Sequence, residues 1–135
     1  MKYVLLLGFL GISHAATDLI TQVRSAIAES DFPRAAAYVQ DYRTTKGITP
    51  ELATAMSWMA RGALARKDYD RAETVARETY QLSADLLKKR ALDDEPVLPI
   101  GLGAAVEVHA QVLAARGQTT EAVAYLAAEL AHYRT

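Results

Sequence analysis

The sequence predicts an all-α chain of about six helices, arranged as antiparallel hairpins stacked side by side. Two observations predict it. A short phrase recurs as Ser30-Asp31-Phe32-Pro33-Arg34-Ala35, Lys67-Asp68-Tyr69-Asp70-Arg71-Ala72 and Gly117-Gln118-Thr119-Thr120-Glu121-Ala122. Each copy separates two stretches with apolar residues at three- and four-residue spacing, and its closing alanine opens the second stretch. A single hairpin cannot bury its apolar face alone, so such units stack into a continuous core, and their surfaces usually bind rather than catalyse.

The first helix carries Leu19, Ile20, Val23, Ala26 and Ile27. Pro33, at a first-turn position behind Asp31, restarts the chain as a second helix with Ala35, Tyr38, Val39 and Tyr42, which Gly47 ends. Thr49-Pro50-Glu51 opens the third with a cap, a first-turn proline and an acid near the positive dipole end. Its buried stripe is Leu52, Met56, Met59, Ala60, Ala63 and Leu64. The fourth starts at the cap Asp68 and runs through Ala72, Val75, Ala76, Thr79, Leu82, Leu86 and Leu87 to Lys88-Lys89-Arg90, which complements the negative end. Asp93-Asp94-Glu95-Pro96-Val97-Leu98-Pro99 is an inserted loop. It explains why the repeated alanines stand 37 positions apart (72 minus 35) and then 50 apart (122 minus 72). Pro99 starts a fifth helix through Leu102, Ala105, Val106, His109, Ala110 and Leu113, and a sixth carries Ala122, Val123, Leu126, Leu130 and Tyr133.

Residues 1–15 stand apart from this pattern. Lys2, the apolar run Val4–Ile12 and the small residues of Ser13-His14-Ala15 have the order of a cleaved secretory signal peptide, and the run is too short to span a bilayer. The expected mature chain, 16–135, is one exported, soluble helical repeat domain, periplasmic or extracellular. Removing Lys2 takes the formal charge from −1 to −2, which gives no support to nucleic-acid binding or to a membrane-surface role. There is no cysteine, so stability rests on packing and the chain performs no thiol chemistry.

The units resemble tetratricopeptide repeats: Ala60 and Ala110 stand where that family packs its first helix closely, and Ala35, Ala72 and Ala122 open the second helix. The family's early tryptophan is replaced by Leu19, Met56 and Val106, and its packing glycine in the first unit by Val23. The resemblance implies a short right-handed solenoid. A second resemblance covers Met59 to Tyr133, through Ala60-Arg61-Gly62-Ala63-Leu64-Ala65, Leu98-Pro99-Ile100-Gly101-Leu102-Gly103, Val112-Leu113-Ala114-Ala115-Arg116-Gly117-Gln118 and Tyr125-Leu126-Ala127-Ala128-Glu129-Leu130. This stretch looks like the helical region preceding the thioredoxin-like domain of exported TlpA-like redoxins. In that family a Cys-x-x-Cys motif in the following domain exchanges thiols and disulfides, and no such motif occurs in this sequence. No catalytic residue carries over.

The chain's own chemistry is sparse. His109 and His132 fall on different helices without a His-x-x-x-His spacing, so no metal site is expected. His109 reads as a hydrogen-bonded interhelix residue and His132 as a partner of the last helix's negative end. Asp93-Asp94-Glu95 lacks the alternating ligands and glycine turn of a calcium loop and reads as solvated. Asp68 and Asp70 are accounted for as a cap and a first-turn acid, and Gly101-x-Gly103 lacks the remainder of a dinucleotide motif. No cofactor is implied.

What remains is surface. In tetratricopeptide geometry the first helix of each pair lines the concave side, which puts Arg24, Ser57, Arg61, Glu107 and Gln111 there as a groove for an extended or acidic peptide. Trp58 stands beside the apolar stripe, either packed between hairpins or partly exposed as an anchor. The sixth helix, with Val123, Leu126, Leu130 and Tyr133, is the expected docking edge, because a solenoid's terminal helix needs a polar outer face or a cover. The sequence thus reads as a non-catalytic protein interaction module, the accessory helical region of a TlpA-like redoxin assembly with a thioredoxin-like domain as partner. Its alternative is an independent extracytoplasmic adaptor or self-associating module; an enzyme would need a convergent polar cluster that the sequence does not display. Mass measurement of the protein recovered from the cell envelope should give a chain starting at Ala16; one still starting at Met1 contradicts export with cleavage.

Overall fold

The computed structural model describes residues 18–134; the expected signal peptide lies outside them. Six α-helices follow in order: α1 Leu19–Ala28, α2 Phe32–Lys46, α3 Pro50–Ala65, α4 Tyr69–Leu87, α5 Leu98–Ala115 and α6 Thr119–Tyr133, with a 3₁₀ turn at Leu92–Asp94 before α5. No strand occurs among the described residues.

Local chemistry sets the helix starts. Amide groups of Thr21, Arg34, Leu52 and Arg71 donate to the side chains of Asp18, Asp31, Thr49 and Asp68 at 2.8, 3.0, 3.1 and 3.3 Å, so four of the six helices are capped by an oxygen three residues back. Proline lies in the first turn of α2, α3 and α5, where its missing N–H costs no hydrogen bond. α5 begins at Leu98, one residue before the expected Pro99.

The three repeated phrases are one turn built three times. Ser30, Lys67 and Gly117 adopt left-handed φ values of 62°, 60° and 82°. In each copy two successive amides close the preceding helix: Ser30 to Ile27 O and Asp31 to Ala26 O, Lys67 to Leu64 O and Asp68 to Ala63 O, Gly117 to Ala114 O and Gln118 to Leu113 O. Only the third copy uses the residue for which that φ is unstrained.

Each hairpin pairs internally, and each first helix also packs on the next: α1 on α3 and α3 on α5, with α2 touching α3 and α4 touching α5. α3 is therefore enclosed from both sides and buries residues around much of its circumference. One core cluster joins Leu19, Val23, Val39, Leu52 and Met56; a second joins Phe32, Ala60, Ala63, Ala72, Ala76, Val108 and Val112. Arginines following α3 and α5 lock successive hairpins together. Arg66 donates to Ile27 O at 3.0 Å and to Ser30 Oγ in the first turn, and Arg116 donates to Asp70, at 2.6 Å, and to Glu73 on α4.

Two glycines mark close helix approaches. A Cβ on Gly62 would lie 2.5 Å from Ile27 Cγ2, and one on Gly101 3.1 Å from Thr54 N and 3.2 Å from Ala53 C. Gly103, two residues on and on the opposite side of the same helix, would meet nothing within 4 Å. Gly101→Ala should therefore destabilise the protein by about 1–3 kcal/mol through overpacking against α3 backbone. Gly103→Ala should stabilise by up to about 1 kcal/mol through helix propensity. Urea unfolding of the two variants checks both signs.

Candidate functional site

The first helices of the hairpins carry a continuous polar row. The Arg24 guanidinium lies 4.4 Å from the centroid of the Trp58 ring and that of Arg61 5.6 Å from it, so one indole bridges two cations from α1 and α3. Arg61 Nη2 reaches Glu107 Oε2 on α5 at 3.4 Å, and Gln111 Nε2 donates to Glu107 Oε1 at 3.0 Å. Arg24, Arg61, Glu107 and Gln111 thus come together, with half-buried Trp58 as the link. Ser57 does not belong to this row. It is 1% exposed and donates to Thr54 O at 2.6 Å, because the two neighbours of α3 cover the face on which it sits. The register shows a pattern the sequence already held: Arg24 and Arg61 are 37 positions apart (61 minus 24) and Arg61 and Gln111 are 50 apart (111 minus 61), the same intervals as the repeated alanines.

The second surface is the free flank of α5 and α6. Ala122 alone is buried on α6, whereas Val123, Leu126 and Leu130 are 62%, 44% and 61% exposed. Two adjoining grooves share Leu126. The larger, about 420 Å³, runs between Leu92, Pro99, Gly103, Leu130 and Tyr133; the smaller, about 330 Å³, between Ala110, Ala114, Ala122 and Val123. Both are overwhelmingly apolar in lining. Tyr133 is half-buried, since its hydroxyl turns inward to Tyr80 Oη at 3.4 Å.

Behind that flank a polar cluster fastens α6 to α4. Tyr80 Oη donates to the Glu129 carboxylate, at 2.8 Å from Oε2, and the His109 ring meets Tyr125 edge-on with centroids 4.6 Å apart. His109 is a half-buried interhelix residue. Burial raises the Tyr80 phenol, with Tyr133 and Glu129 adding to the shift, and pushes Tyr125 up to about 12, with the Glu129 charge adding to it. Elsewhere the hydrogen bond from Arg116 holds the Glu73 carboxyl below its ordinary range.

No group of three histidines, aspartates and glutamates among the described residues is placed to hold a metal ion. Asp93 and Asp94 are exposed, while Glu95 pairs with Arg90 at 2.8 Å and pins the inserted loop to the end of α4. Among the described residues α5 is the one helix long and apolar enough to cross a membrane, and it packs against α3, α4 and α6. The chain matches no family model, no curated protein and no solved structure.

The tyrosine cluster fixes an alkaline limit. Below pH 10 phenols are neutral in the folded and unfolded chain alike, so they add no pH dependence. Above it the unfolded chain loses protons that the folded one keeps. Stability should fall between about pH 10 and 12, and fall less steeply in Tyr125→Phe, whose ring can keep the edge contact with His109. Urea midpoints at pH 8, 10 and 11.5 for both proteins measure the difference.

Proposed function

We propose that this chain is a non-catalytic docking module of the cell envelope, a short right-handed stack of tetratricopeptide-like hairpins that presents the α5/α6 flank to a protein partner. The observation that carries the reading is that flank: three large aliphatic side chains stand in solvent beside two apolar grooves on one side of the molecule. Contiguous exposed apolar surface of this kind marks an interaction site. The packing of each first helix on the next supports the stacked architecture. The identity of the partner, a thioredoxin-like domain of a TlpA-like redoxin, rests on the sequence resemblance of Met59 to Tyr133. In that role the module positions the redoxin domain or selects the protein brought to it, and thiol chemistry stays with the partner.

Supplying a TlpA-like redoxin domain should raise the thermal midpoint of the 16–135 chain in proportion to its concentration, by mass action. Val123→Glu with Leu130→Lys should remove that gain while leaving the chain's own helicity unchanged. A chain whose midpoint is indifferent to the domain rules out the redoxin partner.

A further inference from the structure

Resting on the docking reading, we propose that the α5/α6 flank seats a helix of its partner, amphipathic, with a small residue where it crosses Gly103 and with lysine or arginine along its flanks. The molecule itself shows what fills such a seat. Val108 and Val112 of α5 enter a pocket made by Ala60 and Ala63 of α3 and Ala72 and Ala76 of α4. Advancing that pocket by the 50-residue interval between Ala72 and Ala122 gives Ala110, Leu113, Ala122 and Leu126. Three of these four line the smaller groove. The surface that receives a helix inside the stack is thus repeated at its end.

The crossing point repeats as well. Gly101 rests on the backbone of Ala53 and Thr54, and the same interval leads from these to Gly103 and Ala104. Gly103 is exposed, lines the larger groove and has no neighbour within 4 Å to explain the absence of a side chain. A glycine in a helix interior disfavours the helix, and close approach of another backbone is a reason to keep one there.

Charge selects the occupant. Between Leu98 and Tyr133 the acids are Glu107, Glu121 and Glu129; Glu107, which pairs with Arg61 at 3.4 Å, lines the smaller groove and Glu129, which accepts from Tyr80, the larger. The one arginine in that span, Arg116, is held by Asp70 and Glu73 on α4. The charged side chain in the lining of each groove is thus a carboxylate, which complements a basic amphipathic helix and opposes a second copy of itself, since that would set like charges face to face. Among the described residues the exposed large hydrophobic residues are Ile48, Ile100, Val123, Leu126 and Leu130, none of them on α1 or α2. Among the described residues, head-to-tail stacking of copies therefore lacks a matching apolar surface on α1 and α2.

The test uses two synthetic helical peptides sharing one Ala/Val/Leu stripe, flanked by lysines in the first and by glutamates in the second. Fluorescence anisotropy against the 16–135 chain should show the lysine-flanked peptide binding at least tenfold tighter, with the gap closing as salt rises. Gly103→Leu, which fills the crossing point, and Leu130→Glu should each weaken it at least tenfold at unchanged helicity. Glu107→Lys with Glu121→Lys should reverse the preference. Equal binding of both peptides, or full binding by both weakened variants, overturns the proposal. A dimer in sedimentation that Leu130→Glu dissolves also overturns it, in favour of a second copy, while leaving the flank as a docking surface. Absence of any peptide binding overturns the helical occupant alone, and the response to the redoxin domain decides the broader reading separately.

Discussion

The arrangement depends on how closely α3 is approached from two sides. At Gly62 the side chain of Ile27 fills the place of a missing Cβ, and at Gly101 the backbone of α5 comes down onto Ala53 and Thr54. Close-packed interiors do not absorb an added methyl without displacement. The helix spacing is consequently set by absent atoms on facing helices, and the rest follows from it. Thr54 Oγ1 comes within 2.8 Å of Val97 O, at the entry to α5. Ser57 is covered, and Trp58, one residue on, is left at the edge where arginines from α1 and α3 reach its ring.

Register between hairpins is held by a different device. Arg66 and Arg116 each stand immediately before the repeated phrase, one residue ahead of its left-handed position, and each reaches a neighbouring hairpin. Arg66 bonds to a carbonyl and a hydroxyl and Arg116 to two carboxylates, so only the second forms ion pairs, each worth about 0–1 kcal/mol near the surface. Their geometry matters more: each guanidinium meets two acceptors on the neighbouring hairpin, which fixes how one hairpin lies on the next.

What the sequence revealed, and what it did not, divides along contact range. Apolar spacing and the capping residues Asp31, Thr49 and Asp68 specify helices locally, so element order and most boundaries were legible. The αL turn was implicit in Gly117 but hidden at Ser30 and Lys67, where non-glycine residues hold the same conformation. Ser57 was misplaced because a serine at a polar helical position looks alike whether one helix or two cover it. The Tyr80–Glu129 bond and the Arg90–Glu95 pin were not foreseen. Nothing in the periodicity of α4, α6 or the inserted loop specifies which polar side chains meet. The register coincidence of Arg66 with Arg116 was available in the sequence, and it identifies the interlocking arginines once the repeat interval is applied to polar as well as apolar positions.

Of the two surfaces, the α5/α6 flank offers the greater free-energy gain to a partner. The polar row across α1, α3 and α5 is already satisfied within itself: Glu107 accepts from Arg61 and Gln111, and Arg24 and Arg61 lie over the Trp58 ring. A ligand entering there must first displace these contacts and then replace each of them, so the exchange of exposed ion pairs nets roughly 0–1 kcal/mol. Val123, Leu126 and Leu130 have no such competing partner. Fully covering a wholly exposed aliphatic side chain of this size is worth about 1.5–3 kcal/mol, and these three, 62%, 44% and 61% exposed, retain roughly half of that each, which together still exceeds what the polar row can return. The row can orient what lies across α1, α3 and α5, but the strength of an association comes from the apolar flank, and a partner that engages both would be held at α6 and aligned along the arginines.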